Sequence, residues 1–500
     1  MKYIYIIAAI MIFSSCEKEL ELTSESELTY AGFWDNEVGA RAGHTGLYGT
    51  FRGKMYTNWA LGSLRADIWG GQTFESPSSI GFIESNFTPE TAPYSDWAGY
   101  YNAIHKVNDF IINVPNIEFT DMGEKNHMMG QAYGLRAYYY YTLLKTWGTV
   151  PLSLEPVVNI DPSLLNKVRS SEVDVMAQIK ADLQASLDAF GGDNSFFNNN
   201  TIYWSKAATL VLKGDVFIWS GNLLGGGATD FNAAKTALEQ ILSTGVSLES
   251  NYADLWGNGN ENNNEFIFAV DYNEGEATNH YGSFTGRTTE IHPQFSNDGT
   301  AMINTIYNGA NRFGLTETAL LVSDDALDSR KNASFIRLYK DDNGGTGYPV
   351  YNAAQYYGTI MNKFGGTVSG SLRISDENLP VYRYADAILL LAEAKNLLNE
   401  DPTTEINLIR ARAYGTNYVL GTHGFTNGSQ IDNTNAILEE RFKEFMGEGK
   451  RWWDLRRAGN SFVTTNVSFL STGDEYKFLL PINPGMMDTN TDLVQTPGWN

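Results

Sequence analysis

Apolar residues recur at helical spacing along most of the chain. The clearest case lies within residues 378–399, where Tyr384, Ile388 and Leu391 follow one another at i, i+4 and i+7. The same period predicts further helices at 33–52, 96–114, 130–147, 171–190, 204–221, 231–244 and 405–414. Small residues beside bulky ones, such as Ala207 and Ala208, would let neighbouring helices approach closely. The pattern predicts a mainly α protein built from packed helix pairs.

Two long segments between the helices lack a clear period. Residues 58–93 and 273–313 are rich in glycine, asparagine, serine and proline, and residues 266–272 alternate like a short strand. Unstructured segments of this length in a compact protein are usually functional or disordered. The aromatic residues that they contain favour the ordered alternative. We therefore expect a second, irregular and loop-rich region that contains a few short strands.

The N-terminus has the layout of an export signal. An apolar run at 3–13 follows Lys2, is too short to span a bilayer, and is followed by two serines and Cys16. Cys16 is the only cysteine, and an unpaired thiol would be unusual in an oxidising compartment. We interpret residues 1–15 as a lipoprotein signal peptide, Cys16 as the lipidated residue and 16–30 as a flexible linker. A plain signal peptide with a free thiol is the alternative.

The segment 432–459 concentrates acids, glycines and arginines. A helix begins at Asp432 or Thr434 and carries Glu440 and Glu444 along one row. Glycines then end the helix, and arginines beside tryptophans follow at once, which predicts charge-assisted ion pairs. Glycoside hydrolysis needs a carboxyl group with a raised pKa, whereas nearby arginines lower it. We therefore interpret the two glutamates as structural.

This segment resembles the C-terminal signature of the SusD/RagB family, the surface lipoproteins that deliver nutrients to an outer-membrane transporter in Bacteroidota. The residues that match the signature are Glu440, Arg441, Glu444, Glu448, Gly449, Arg451, Asp454, Leu455 and Arg457. Segments at 130–151, 380–393 and 478–499 are also similar to the family, so the resemblance covers essentially the whole mature chain. It implies a tetratricopeptide-like helical superhelix, with an N-terminal SusD-like part at about 31–225 and a C-terminal RagB/SusD part at about 265–500.

The resemblance also implies a function. It predicts a lipid-anchored protein on the cell surface of the outer membrane that captures oligo- or polysaccharide, without catalysis, and passes it to a SusC-like TonB-dependent transporter. Peptide capture, as in RagB-type relatives, and glycoside hydrolysis stay open as alternatives. The formal charge of −23 argues against nucleic acid as a partner.

Aromatic and polar residues in the two irregular segments are the candidate ligand-binding residues. A tryptophan or tyrosine ring can lie against the C–H face of a sugar, and each such contact contributes on the order of 1 kcal/mol. The resemblance places the family's binding platform in these two regions. The candidates are Arg65, Asp67, Trp69, Phe74, Tyr281, Phe284 and Tyr307.

The sequence contains neither a metal-binding motif nor a cofactor-binding motif. The six histidines show no paired ligand spacing, and no nucleotide-binding fingerprint occurs. Neighbouring aspartates at 324–325 or 341–342 could hold a structural calcium ion, although exposed acidic turns are commoner. We expect no cofactor, and calcium is the one metal that the sequence would accommodate.

Overall fold

The protein is described here by a computed structural model. The residues that it describes are 30–70, 77–157, 165–284, 287–306, 309, 313–341 and 353–499. Cys16, Phe74 and Tyr307 lie outside these ranges, as do the predicted signal peptide and nearly all of the predicted linker.

Most of the described residues are helical, as the sequence predicts. The α-helices are α1 (Tyr30–Phe33), α2 (Glu37–Arg52), α3 (Met55–Ser63), α4 (Pro77–Ile83), α5 (Ala98–Asn113), α6 (Met122–Trp147), α7 (Glu172–Phe190), α8 (Lys206–Leu223), α9 (Gly227–Gln240), α10 (Thr288–Ile291), α11 (Glu317–Val322), α12 (Arg330–Ser334), α13 (Tyr384–Leu397), α14 (Thr403–Tyr414), α15 (Leu420–His423), α16 (Gln430–Glu444), α17 (Arg451–Ala458), α18 (Asn460–Asn466) and α19 (Pro484–Thr489).

Polar caps determine where the long helices begin. The Asp121 side chain accepts hydrogen bonds from two backbone N–H groups of the first turn of α6, so this helix begins well before residue 130, the predicted start. The Ser429 side chain caps α16 and forms a capping box with Asp432. The prediction that α16 begins at Asp432 or Thr434 is therefore wrong, because the cap lies one residue before Gln430.

The helices pack in pairs that stack along the chain. α2 packs on α5, α6 on α7, α8 on α9, and α13 on both α14 and α16. Successive pairs also touch, since α7 contacts α8 and α9 contacts α13. Ala207 and Ala208 are buried on α8, as expected for small residues where helices cross closely. This arrangement confirms the predicted tetratricopeptide-like superhelix.

Short antiparallel strands occur in the second region. They are β1 (Phe266–Val270), β2 (Gln294–Ser296), β3 (Phe335–Lys340), β4 (Tyr356–Met361), β5 (Thr367–Ser369), β6 (Leu372–Ile374) and β7 (Leu379–Arg383). β1 pairs with β7, β3 lies between β2 and β4, and β5 pairs with β6. The predicted helix over 378–399 is wrong at its N-terminal end, because residues 379–383 form β7 and the helix begins at Tyr384. Pro380 lacks the N–H that a helix needs and lies in β7, opposite Ala269.

The N-terminal and C-terminal helices share one hydrophobic core. It contains Trp59 and Leu61 of α3, Leu135 of α6 and Trp452 of α17. The irregular segment predicted from residue 58 therefore begins with the buried end of a helix, because its apolar residues pack into this core. Within the described ranges, no helix is both long enough and apolar enough to cross a bilayer.

Candidate functional site

The carboxylates of the 432–459 segment form a buried ion-pair network. Their closest partners are Glu440–Arg330 (2.6 Å), Glu444–Arg412 (2.5 Å), Glu444–Arg383 (3.0 Å) and Glu448–Lys363 (2.8 Å). Burial by itself would raise the pKa of Glu444, but the arginines beside it outweigh burial and lower this pKa. The predicted ion pairing of Glu440 and Glu444 is confirmed, and the shift at Glu444 is opposite to the one that a general acid needs.

The structure places Arg65 and Asp67 in the core. Arg65 is fully buried, donates to the carbonyl oxygen of Lys477 (2.6 Å), and lies over the Trp452 ring (4.3 Å). Asp67 accepts two hydrogen bonds from the guanidinium of Arg451. Both residues were predicted to contact ligand, and the structure corrects this role to a structural one. Their partners come from the C-terminal part of the chain and occupy the groups that a ligand would need.

Trp69 is also a core residue. Its side chain is 1% exposed, and Nε1 donates to Ser63 Oγ (2.7 Å). Its ring packs edge-on against Trp59 and Phe313, with centroid distances of 5.9 and 5.8 Å. The predicted sugar contact at Trp69 is therefore corrected as well. Its ring instead joins an aromatic cluster that connects the two irregular segments.

Tyr281 belongs to the same cluster from the central segment. It is 5% exposed, its Oη donates to the carbonyl oxygen of Gly447, and its ring stacks on His280 with centroids 4.4 Å apart. Phe284 ends the same 3-10 turn, His280–Phe284, and its side chain lies outside the described part. The two predicted regions do meet, through Trp59, whose ring lies 6.2 Å from that of Tyr281.

Tyr56 is a solvent-exposed member of this cluster. Its side chain is 36% exposed and stacks on Trp59, with centroids 6.0 Å apart and planes 22° apart. The half-buried Tyr94 and His280 contact it edge-on at 6.1 and 5.5 Å. We call Tyr56, Tyr94 and His280 the aromatic patch. None of them was among the candidates, although Tyr56 and Trp59 lie at i and i+3, which places them on one face of a helix.

A polar pocket lies next to the aromatic patch and shares His280 with it; Trp59, on which Tyr56 stacks, also lines the pocket. It extends between α6, β7, α13 and α17 and encloses a cavity of about 80 Å³. The charged residues that line it are Lys145, Arg441, Lys450, Arg457, Asp215, Asp386, Glu448 and Asp454. Four are cations and four are anions, so the lining carries no net formal charge. Burial lowers the pKa of Lys145 to about 8.

Asp324 and Asp325, two of the aspartates that might have held calcium, have protein partners. Asp324 pairs with Lys331 (2.6 Å), and Asp325 accepts from Tyr414 Oη (2.7 Å). Asp342 lies outside the described residues. Across the described ranges, no group of three or more histidine, cysteine, aspartate or glutamate side chains is placed to hold a metal ion.

Patch and pocket combine two kinds of surface. The rings offer flat apolar faces, and the pocket offers hydrogen-bond donors and acceptors held in place by ion pairs. This combination suits a ligand that has apolar faces and many polar groups.

Two family models match the chain. The model of the SusD family covers residues 245–499, and a model described as starch-binding associating with outer membrane covers residues 48–209. Among solved structures, NanU of B. fragilis is 33% identical with a TM-score of 0.86, over 95% of this chain and 99% of that one. A SusD superfamily protein from Bacteroides vulgatus is 32% identical with a TM-score of 0.84, over 93% of this chain and 100% of that one.

A curated relative gives the same result. SusD-like protein P38 of Formosa agariphila is 28% identical over 495 residues, which covers 91% of this chain and 90% of that protein. The family resemblance predicted from the sequence is confirmed by the matched models and by the similarity to solved structures. This chain belongs to the SusD family.

Proposed function

We propose that this protein is a non-enzymatic glycan-binding protein. It captures oligo- or polysaccharide at the cell surface and passes it to a SusC-like TonB-dependent transporter. The observation that carries the proposal is the exposed ring of Tyr56, stacked on Trp59 beside a polar pocket. The model described as starch-binding covers residues 48–209, the stretch that contains Tyr56, Trp59 and Tyr94, which supports a glycan as ligand.

The size of the patch suits reversible capture. Each ring that lies against a sugar contributes on the order of 1 kcal/mol. A few such contacts with hydrogen bonds give dissociation constants of about millimolar to micromolar. Such weak binding lets a carrier release its cargo to a transporter.

The location is part of the same proposal. An apolar run at 3–13 followed by Cys16 supports a lipid anchor after removal of residues 1–15, with 16–30 as a tether. The family model whose description includes association with the outer membrane supports that membrane as the site of attachment.

The proposal that the protein is not an enzyme is based on the surroundings of its candidate catalytic glutamates. Glu440 and Glu444 are the pair that could have acted on a glycosidic bond, and both are buried among arginines. Burial and arginine partners at both glutamates support a protein that does not cleave glycans. Incubation of the purified protein with polysaccharide is therefore expected to release no reducing ends.

The test is binding to a glycan panel by affinity electrophoresis and calorimetry. Starch, laminarin and other soluble polysaccharides are compared for the wild type and Tyr56→Ala. The matched control is Tyr476→Ala, because Tyr476 is similarly exposed (38%) and also packs on a tryptophan, Trp499. At least one glycan should bind the wild type and Tyr476→Ala, and should bind Tyr56→Ala about fivefold more weakly, since one ring contact is lost.

Three outcomes contradict the proposal. Retention of peptides with no response to any glycan would favour peptide capture instead. Release of reducing ends would show that the protein is an enzyme. Equal loss of binding in Tyr56→Ala and Tyr476→Ala would remove the aromatic patch as the site.

A further inference from the structure

Two donors that face the polar pocket have no hydrogen-bond acceptor among the residues that the structure describes. Lys145 is 8% exposed, and its ammonium lies over the rings of Tyr141 (4.1 Å) and Trp453 (4.8 Å). Among the residues that the structure describes, it makes neither a hydrogen bond nor an ion pair. Asn58 is 9% exposed; its Oδ1 accepts from Tyr100 Oη (2.6 Å), whereas Nδ2 has no acceptor in the described part. Buried donors without acceptors are costly, so a ligand that supplies acceptors would be favoured here.

One carboxylate oxygen of Asp215, which lines the same pocket, accepts no hydrogen bond from a described residue. Asp215 Oδ1 accepts from Tyr141 Oη (3.0 Å) and from Arg457 Nη1 (3.0 Å). Its other oxygen, Oδ2, accepts from no group within the described ranges. Asp215 keeps 12% of its side chain exposed. The pocket therefore presents an ammonium, an amide N–H and a carboxylate oxygen together.

The other charged groups of the pocket form ion pairs, Glu448 with Lys363 and Arg383 behind the wall and the rest with one another. Arg441 pairs with Asp386 (2.9 Å) and with Asp454 (2.8 Å), and Lys450 pairs with Asp386 as well. Arg457 contacts Asp454 (3.0 Å) besides Asp215. These pairs fix the wall of the pocket. Among the described residues of the lining, Lys145, Asn58 and Asp215 keep unused hydrogen-bonding capacity, as does Nη1 of Arg441.

A sugar ring matches this set of groups. Each hydroxyl both donates and accepts, so adjacent hydroxyls can donate to Asp215 and accept from Lys145 and Asn58. Aromatic side chains that line the pocket, Trp59, Tyr382 and Trp453, can cover the apolar faces of the ring. An ion or a small acid would leave either the donors or the acceptor unmatched.

We propose that the polar pocket is a subsite for the terminal sugar residue of a glycan whose adjoining residues lie on the aromatic patch. His280 belongs to both surfaces, and Trp59 lines the pocket while Tyr56 stacks on it, so the two surfaces are continuous and one glycan chain can occupy both. The proposal rests on the proposed glycan binding and adds a specificity, since the protein then recognises a chain end. Short oligosaccharides bind better than an equal mass of long polymer, because they present more ends.

Free monosaccharides test the subsite. Glucose, galactose, mannose, xylose and N-acetylglucosamine, with their methyl glycosides, are titrated at millimolar concentrations while tryptophan fluorescence is recorded. Trp59 and Trp453 line the pocket and act as reporters. Lys145→Met keeps the apolar stem over the two rings and removes the ammonium. Tyr476→Ala removes an exposed ring outside the pocket and is the control, and Tyr56→Ala is measured to see whether the sugar lies on the aromatic patch instead. At least one sugar should bind the wild type and Tyr476→Ala equally, and Lys145→Met at least tenfold more weakly.

A second measurement needs no variant. An amine with a pKa of about 8 is partly neutral at mildly alkaline pH, so Lys145 should react with formaldehyde and cyanoborohydride. Mass spectrometry of wild-type protein should show that the bound sugar slows methylation of Lys145 and not that of Lys477, which is partly exposed outside the pocket. If the bound sugar leaves the rate of Lys145 methylation unchanged, the proposed subsite is wrong.

The outcomes separate the two proposals. Binding of an oligosaccharide with no response to any monosaccharide overturns the subsite and leaves the glycan-binding function standing. A monosaccharide response that Tyr56→Ala abolishes and Lys145→Met preserves places the sugar on the aromatic patch and also overturns the subsite. No binding of any glycan overturns both.

Discussion

Asp67 and Arg451 lie 384 positions apart, and their side chains form a two-point ion pair with N–O distances of 2.8 and 2.7 Å. Both side chains are buried. Asp67 belongs to the first irregular segment, and Arg451 belongs to the C-terminal signature of the family. The pair therefore fastens the N-terminal helices to the C-terminal ones, and Asp67 lies two residues before Trp69 of the aromatic cluster.

Asp67→Asn should destabilise the whole protein. The substitution leaves the buried guanidinium of Arg451 without a countercharge, and breaking a buried pair costs on the order of 3 kcal/mol of unfolding free energy. Urea unfolding followed by circular dichroism measures the loss. Glu439→Gln is the matched control, because Glu439 is half exposed and pairs with Lys443 on the helix surface, where a pair contributes about 0.5 kcal/mol. Equal losses in the two variants would contradict a special role for Asp67.

Trp69→Ala and Tyr56→Ala should separate stability from binding. Trp69 is buried among rings, so its truncation should cost about 3–5 kcal/mol of unfolding free energy. Tyr56 is partly exposed, and its loss should change stability by less than about 1.5 kcal/mol while weakening glycan retention. Unfolding curves and affinity electrophoresis on the same preparations compare the two. If Trp69→Ala were as stable as the wild type and yet lost glycan binding, Trp69 would be a ligand contact and not a core residue.

The sequence was informative wherever a residue's role depends on its near neighbours. The 3.6-residue period located the stacked helices. The pattern of 432–459 indicated that its glutamates form ion pairs, but Glu440 and Glu444 pair with Arg330, Arg383 and Arg412 and not with the arginines of the same segment. Partners far along the chain leave no such pattern. Asp67 lies in a glycine-flanked segment that is typical of a binding loop, and only the fold brings Arg451 to it. Tyr56 was missed because its exposure depends on how α3 packs against residues of the central segment.

Acid should weaken the ion-pair network through Glu444. Its pKa in the folded protein is lowered from 4.5, because the arginines outweigh burial, so the unfolded chain binds this proton more readily. The stabilisation is therefore complete above pH 4.5 and is lost as the pH falls toward the lowered pKa. Glu444→Gln should be less stable than the wild type by about 3 kcal/mol at pH 7, and the gap should narrow below pH 4.5.

Urea unfolding at several pH values from 7 down to the acid limit of folding measures this gap. Glu118→Gln, at an exposed position outside the network, should follow the wild-type profile. A gap that stays constant below pH 4.5 would show that the charge of Glu444 does not contribute to the stability difference.

Gly62→Ala should disrupt the junction that supports the aromatic patch. A Cβ at Gly62 would lie 1.8 Å from the carbonyl oxygen of Gly449, so α3 and the turn before α17 must separate. Gly449 has φ +78°, which other residues rarely adopt, so the turn cannot easily move aside. Separation would also break the hydrogen bond from Trp59 Nε1 to Gly447 (2.9 Å), which holds the ring beneath Tyr56.

The expected loss of unfolding free energy in Gly62→Ala is about 3 kcal/mol or more. The added methyl group would clash with backbone, which cannot change rotamer to relieve the clash as a side chain could. Gly46→Ala is the control. Gly46 lies inside α2 with open space where a Cβ would go, and alanine there should stabilise the protein by about 0.5–1 kcal/mol. Because Trp59 links the junction to the ligand surface, Gly62→Ala should also lose glycan retention at temperatures where it remains folded. A folded Gly62→Ala with wild-type retention would show that the patch does not depend on this junction.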